Sequence, residues 1–260
     1  MPRPLWTGSI SFGLVNVPVK LVPATSSKDV RFHQLHDADG ARVRQKRVCS
    51  ADGEEVAYEH IVRGYEIRPN EYVVLEPAEL ASLDPDATRT IDLEEFVDLA
   101  EIDPVYFEKA YYLLPDKNAE KAYALLVEAL SRSDKVGLGR FVMRTKQYLA
   151  ALRARDQVLI LSTMLFADEV VGVEELEDLP GPPALSDREV ALAEQLVASL
   201  TAPFEPEKYR DTYREEVLEL IEAKSEGQPI SVLPAAAPKA PVVDLMAALE
   251  ASLAASKRSA

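Results

Sequence analysis

The groups in this chain that are able to do chemistry are few. Three histidines are present, His33, His36 and His60, together with one cysteine, Cys49. His33-x-x-His36 followed by Asp37 and Asp39 supplies imidazole and carboxylate donors of the kind that hold a divalent cation and activate water. On a strand, however, residues three apart point to opposite faces, so a hydrogen-bonded pair near a strand end is the plainer reading. Gly137-Leu138-Gly139 is too short for a dinucleotide loop and reads as a tight turn before a strand. No Gly-x-x-x-x-Gly-Lys-Ser/Thr, Gly-x-Ser-x-Gly or His-Glu-x-x-His pattern occurs. Cys49 near Asp52 reads as a small buried thiol beside a turn. The expectation is no catalytic residue, no metal and no cofactor.

The cations are more informative. The net charge of -15 argues against a nucleic-acid partner only on average. Residues 1–50 carry eight Lys and Arg against three Asp and Glu, and residues 131–157 carry seven against two; the segments 51–130 and 158–260 are strongly acidic. At physiological salt the Debye length is about 8 Å, so a local basic surface holds phosphate while distant acids are screened. In the first island Arg42, Arg44 and Lys46 alternate at period two beside Arg47. On a strand they share a face, a row of cations about 6.6 Å apart that follows a phosphate backbone. The second island holds Lys135, Arg140, Arg144, Lys146, Arg153 and Arg155, several at even offsets that again share faces on strands. Neither run is interleaved with aromatics, which favours duplex backbone contact over base stacking. For either run alone, a solvated face is the alternative.

The elements that must position these groups follow from periodicity. Leu5 to Val22 alternates at period two, with a shift of face at Leu14-Val15, and reads as strand; Pro18 favours an edge. Arg42 to Leu75 is β-rich, with turns at Asp39-Gly40 and Asp52-Gly53. Helical spacing appears at Ala119 to Leu130, and strands resume at Arg140 to Leu152 and Gln157 to Phe166. Leu179-Pro180-Gly181-Pro182-Pro183 ends the first block. Ser186-Asp187-Arg188-Glu189 has the form of a capping box and leads a stripe of Val190, Ala193, Leu196, Val197 and Leu200. A second helix carries Tyr209, Tyr213, Val217 and Leu220 and stops near Gly227. After a Pro/Ala-rich stretch at 228–241, Val242, Leu245, Met246, Leu249 and Leu253 fall on one helical face. A short apolar helix beyond such a tether is placed to dock in a partner's groove, although packing on its own domain is the alternative.

Leu5-Trp6-Thr7-Gly8-Ser9-Ile10-Ser11-Phe12-Gly13-Leu14-Val15-Asn16-Val17-Pro18-Val19-Lys20 resembles the opening of bacterial Ku, a DNA-end-binding family of non-homologous end joining. The resemblance continues through Arg31-Phe32-His33-Gln34-Leu35-His36, Lys46-Arg47-Val48-Cys49, Tyr111-Tyr112-Leu113 and Lys208-Tyr209-Arg210-Asp211-Thr212-Tyr213. Val243-Asp244-Leu245-Met246-Ala247-Ala248-Leu249-Glu250-Ala251-Ser252 is similar to the segment with which that family engages its multifunctional DNA ligase. The resemblance implies a mixed β+α fold and a homodimeric ring: a β-barrel core, a strand-rich bridge over the DNA and a helical C-terminal arm. Two departures stand out. Some relatives carry Cys-x-x-Cys where this chain has Cys49-Ser50-Ala51-Asp52, which speaks against a zinc hook. Many extend into a Lys-rich tail where this sequence stops at Lys257-Arg258-Ser259-Ala260, so tail-mediated DNA bridging is expected to be weak.

The organisation expected is a barrel core with bridge over residues 1–179 (bridge at about 30–75), a helical dimerisation arm at 184–227, a linker at 228–241 and a ligase-recruiting helix at 242–256. The function expected is sequence-independent binding of double-stranded DNA ends by a non-enzymatic clamp. It would protect ends and recruit and stimulate the ATP-dependent DNA ligase D through Val242, Val243, Leu245, Met246, Leu249 and Leu253. The partners expected are DNA ends, a second copy of the chain and that ligase. Lacking an apolar leader or an apolar run of membrane-spanning length, the chain is expected in the cytoplasm at the nucleoid, without a membrane partner. The rivals are a metal-dependent nuclease or hydrolase using His33, His36 and Asp37, and a structural β-barrel dimer that binds no DNA.

Overall fold

The alternation at the N-terminus makes a hairpin. β1 (Trp6–Phe12) and β2 (Val15–Pro23) pair antiparallel from Trp6↔Leu21 to Phe12↔Val15. The shift of face at Leu14-Val15 is the turn: Gly13 takes a φ of +59°, a value that glycine reaches without steric cost, and Leu14 is fully exposed. The computed structural model describes residues 3–82, 89–144, 146–177, 179, 181, 185–227 and 245–259. Within them the chain continues through β3 (Arg63–Arg68), β4 (Glu71–Leu75), α1 (Pro77–Ser82), β5 (Thr90–Asp98), β6 (Phe107–Pro115), α2 (Glu120–Ser133), β7 (Lys135–Met143), β8 (Lys146–Arg155) and β9 (Val158–Met164). The helices α3 (Asp187–Leu200), α4 (Thr212–Ser225) and α5 (Leu245–Ser259) follow. Residues 1–27 with 33–175 form one compact unit, and 28–32 with 176–260 a second.

Seven strands close into a barrel in the order β1-β2-β6-β9-β8-β7-β5, with β1 and β5 running parallel where the ring closes. A closed barrel leaves no edge. Pro18 therefore lies not on an edge but just before the β2–β6 ladder begins at Val19, where its missing N–H breaks no continuous run of bonds. Alternate residues point inward, and Ile10, Val17, Val19, Leu21, Ile91, Leu113, Leu152, Leu159 and Leu161 are all fully buried there. Each such side chain contributes about 1.5–3 kcal/mol. The helical period in α2 turns Tyr123, Leu126, Val127 and Leu130 into the same core. The Tyr123 hydroxyl donates to the Leu113 carbonyl (2.7 Å) and accepts from the Leu159 amide (2.8 Å), tying α2 to β6 and β9. Burial pushes its pKa above the usual tyrosine value, so the group stays a neutral donor. A smaller cluster, Val136, Ala151 and Met164 with Val97, Tyr106 and Phe107, covers part of the outer barrel wall.

One of the strands read from sequence divides differently. The run from Arg140 to Leu152 is interrupted by the turn between β7 and β8, where Arg144 takes a φ of 54°; an arginine is no turn signal, so the period-two pattern hid the break.

Closure depends on close backbone approach. The Ser9 amide donates to the Arg89 carbonyl (2.9 Å), and a Cβ on Gly8 would lie 2.1 Å from that oxygen. On the other side of β5, a Cβ on Gly139 would lie 2.2 Å from the Asp92 carbonyl. Glycine inside a strand marks such an approach. Gly8→Ala is expected to lower unfolding free energy by about 2 kcal/mol or more, whereas Gly181→Ala, which meets no atom of the described residues within 4 Å, should stay within about 0.5 kcal/mol; urea denaturation of both variants against the parent measures this.

Candidate nucleic-acid interface

The stretch from Arg31 to Glu79 buries almost nothing: all of its residues are exposed except Cys49, Val56 and Leu75, which are half-buried. It opens with two tight turns. At the first, Gly40 takes a φ of +69° and the Asp39 carboxylate accepts from the Ala41 amide (2.9 Å). At the second, Gly53 takes +77° and the Asp52 carboxylate accepts from the Glu54 amide (2.9 Å). Asx turns followed by glycine explain both reversals. The turns expected at Asp39-Gly40 and Asp52-Gly53 are present, but the strand expected across Arg42 to Lys46 is not. Only single bridges flank the turns, Leu35↔Arg42 and Val48↔Glu55, and the chain passes from one to the other without a continuous ladder. Arg42, Arg44 and Lys46 therefore do not form one strand face. The physical reason is that two short reversals in succession pair Val43 with Gln34 and Arg47 with Val56 but give no continuous ladder across residues 44–46.

Local partners differ along this run. The Arg42 guanidinium lies against Nε2 of His33, and Lys46 pairs with Glu55 at 2.5 Å. The Arg47 guanidinium stacks over the Tyr58 ring, 5.2 Å from its centroid, an arrangement in which the cation stays available on its other face. Arg44 lines a shallow polar concavity with His33, Gln34, Arg42 and Val43. Among the described residues no ion pair engages Arg44. The hairpin of β3 and β4 follows, with Arg63 and Tyr65 on one face of β3 before a bulge at Ile67. Tyr58, Tyr65 and Tyr72 are all exposed. Arg63 and the exposed tyrosines escaped the sequence reading, although Arg63-x-Tyr65 ahead of a Pro-Asn turn was a usable signal.

His33 and His36 do not converge. His33 meets Arg42, whereas His36 contacts Asp39 (3.1 Å) and Asp37 (3.8 Å). Among the described residues no group of three or more His, Cys, Asp or Glu is placed to hold a metal ion.

The second island sits on the barrel and is largely neutralised there. Arg140 forms a two-pronged pair with Glu94 (2.7 and 2.9 Å), made possible by a bulge in β5 between Leu93 and Glu95 that leaves Glu94 as the extra residue. Lys135 donates to Asp98 (2.7 Å), Lys146 lies 3.9 Å from Glu169 and over the Tyr148 ring, and Arg155 lies 4.0 Å from Asp156. The common face expected for Arg140 and Lys146 is not found. Lys146 stands opposite Met143, whose side chain is in the core, while Arg140 stands opposite Leu149 on the outer wall; the turn at Arg144 reverses the strand between them. Arg153 and Arg155 do share the outer face of β8, and among the described residues no ion pair engages Arg153.

The C-terminal residues are placed in part. Val242, Val243 and the 228–241 stretch lie outside the described residues, as does the side chain of Leu245. Met246, Leu249 and Leu253 are half-buried on α5, and Leu249 meets a groove of α3 lined by Leu185, Val190, Ala193 and Val197. The capping box forms as its spacing requires: the Ser186 hydroxyl accepts from the Glu189 amide (3.3 Å) and the Glu189 carboxylate accepts from the Ser186 amide (2.7 Å). Large apolar side chains stay exposed on the helical unit, among them Val197, Leu200, Phe204, Tyr209 and Tyr213. No helix among the described residues is long and apolar enough to cross a membrane.

A closed seven-stranded barrel with one exposed, aromatic-bearing stretch that buries almost nothing defines a β-barrel protein with an appended hairpin region. A family model for the Ku70/Ku80 beta-barrel domain matches residues 11–195. Proteins named "Non-homologous end joining protein Ku" are similar over nearly the whole chain: that of Anaeromyxobacter sp. (strain K) is 54% identical over 99% of this chain and 87% of its own length. That of Desulfitobacterium hafniense is 47% identical over 96% and 87%, and that of Archaeoglobus fulgidus 41% over 88% and 91%. The chain belongs to the Ku family.

The Glu94–Arg140 pair carries a pH signature. The hydrogen bond from Arg140 holds the Glu94 carboxyl below its ordinary value of 4.5. A depressed carboxylate stabilises the fold above that ordinary value and loses the contribution as pH falls through its lowered pKa. In an NMR titration Glu94 should protonate at lower pH than a free glutamate, and Arg140→Leu should return it to about the ordinary value.

Proposed function

We propose that this protein binds double-stranded DNA ends without sequence preference and acts in non-homologous end joining as a clamp that is not an enzyme. The observation that carries the reading is the arm from Arg31 to Glu79. A two-stranded hairpin alone is marginally stable in water, and this one exposes Tyr65, Ile67, Tyr72, Val73 and Val74, so its ordered form calls for a partner surface. Its run of four cations from Arg42 to Arg47 contains no acid, which suits phosphate. The names of the relatives support the same function. Within this reading Arg42, Arg44 and Arg47 contact backbone phosphates first. Lys46, held by Glu55, and the barrel cations Lys135, Arg140, Arg144 and Lys146 contribute less, and Arg153 and Arg155 supply a secondary outer contact.

The clamp is a homodimer in this reading. The exposed apolar side chains of α3, α4 and the segment between them exceed what one chain covers, and obligate homodimers commonly bury over about 2,000 Å². The chain acts in the cytoplasm at the nucleoid, with no cofactor.

A ring of two chains loads only at a free terminus. A gel shift should therefore show binding to a linear duplex and none to a relaxed closed circle of equal length and salt; equal affinity would sink the clamp. On the linear duplex, replacing Arg42, Arg44 and Arg47 by Ala should weaken all sequences alike and reduce the salt slope by up to about three contacts at roughly 0.9 each, whereas Arg140→Ala should leave the slope near its parent value.

Recruitment of an ATP-dependent DNA ligase D belongs to α5 and the residues before it, Val242, Val243, Leu245, Met246, Leu249 and Leu253, and the same contact stimulates the ligase. Leu245→Ala with Leu249→Ala removes two anchors of roughly 1.5–3 kcal/mol each. Ligase capture in a pull-down should fall at least tenfold with linear-duplex binding unchanged, since the helix offers only Lys257 and Arg258 as cations. Loss of thermal stability with capture intact would make the stripe a core element instead.

A further inference from the structure

The helix assigned above to the ligase is not free. Met246, Ala248, Leu249 and Leu253 are half-buried, while Ala247, Glu250, Ala251 and Ser252 are exposed, so one face of α5 is engaged. Its seat is α3: Leu249 closes a groove formed by Leu185, Val190, Ala193 and Val197. At the rim the Arg188 guanidinium donates to the Glu250 carboxylate at 3.1 Å. The engaged face is the one a ligase groove would need. A single stripe of apolar side chains on a 15-residue helix cannot lie on α3 and in a partner at once.

We propose that α3 is a latch for α5, so that ligase capture must first displace this helix from its own chain; the inference rests on the recruitment reading given above. The contact has the build of a latch. Its apolar side chains are only half-buried, Val190 and Val197 on α3 remain 41% and 68% exposed, and the one ion pair among its described residues is solvent-facing, with side chains 76% and 55% exposed. Each element is weak, but both helices belong to one chain, so the tether holds α5 near α3 at an effective concentration in the millimolar range. A ligase competes against that concentration, and anything that covers the α3 groove from outside releases α5 to it. Recruitment thereby becomes conditional on whether the α3 groove is covered.

Arg188→Glu tests this in the full chain. The substitution reverses the charge facing Glu250, leaves every residue of α5 unchanged, and adds an acid to the first turn of α3, where the helix dipole favours it. Amide hydrogen exchange of 245–259 should become faster than in the parent, and capture of purified ligase should tighten about two- to fivefold, the span that a surface ion pair supports. The swap Arg188→Glu with Glu250→Arg should return both readouts towards the parent. Unchanged exchange, with a parent that binds ligase and a variant that binds it equally well, overturns the latch alone. Faster exchange with no ligase captured by any form overturns the recruitment reading and the competition built on it.

Discussion

The barrel stands or falls on β5, which is squeezed between two backbones. β1 lies on one side through a short parallel ladder, Ser9↔Thr90 to Ser11↔Asp92, and β7 on the other through an antiparallel one. Both approaches need glycine: Gly8 against the Arg89 carbonyl and Gly139 against that of Asp92. Trp6 then braces the seam from β1 to β7, its indole N–H donating to the Val142 carbonyl (2.9 Å) and its ring meeting Phe141 edge-on at 5.7 Å. Without this closure the sheet would open at two strand edges, and the inward faces of β2, β6 and β9 would lose the wall that buries them. The core and the seat of α2 depend on the seam, and so does the fixed root from which the arm projects.

The same ring sorts the cations. Strands brought side by side place Asp98 beside Lys135 and Glu94 beside Arg140, carboxylates 37 and 46 residues away in the chain. Exposed pairs of this kind contribute little stability, about 0–1 kcal/mol, yet they neutralise charge that phosphate would otherwise meet. The arm is arranged differently. Its turns hold Asp39 and Asp52 to local amides and Asp37 and Asp39 to His36; Lys46 pairs with Glu55 and Arg68 with Glu71, while Arg47 rests on a ring. The basic balance of residues 131–157 is thus largely met within the barrel, whereas in the first island Arg44 and Arg47 engage no carboxylate ion pair among the described residues.

What could be read beforehand was local. The face shift at Leu14, the Asx-Gly turns and the capping box at Ser186 each rest on a few adjacent residues, and each appears in the structure. Resemblance at Leu5 to Lys20 supplied the barrel, which periodicity alone did not, because closure is a pairing of β1 with a strand 80 residues later. β5 was not read as a strand: the bulge at Glu94 breaks its alternation after Ile91 and Leu93. The Arg42 to Lys46 run failed for the opposite reason, since perfect alternation of type is not a strand when only single bridges, not a continuous ladder, pair with it. The pairing of Arg140 with Glu94 was not legible, because the carboxylate lies 46 residues away in the chain.

An arm without a core and a barrel with one should differ in how firmly their backbones are held. The central claim is that Arg31 to Glu79 takes its order from the surface it embraces. Amide hydrogen exchange on the protein alone and with a blunt linear duplex measures this residue by residue. The account predicts slow exchange in the barrel strands under both conditions, and fast exchange at Arg63–Leu75 that slows by at least about tenfold, or roughly 1.4 kcal/mol, when the duplex is added. Protection of the arm equal to that of the barrel before any duplex is present, or no change on adding it, would contradict the account.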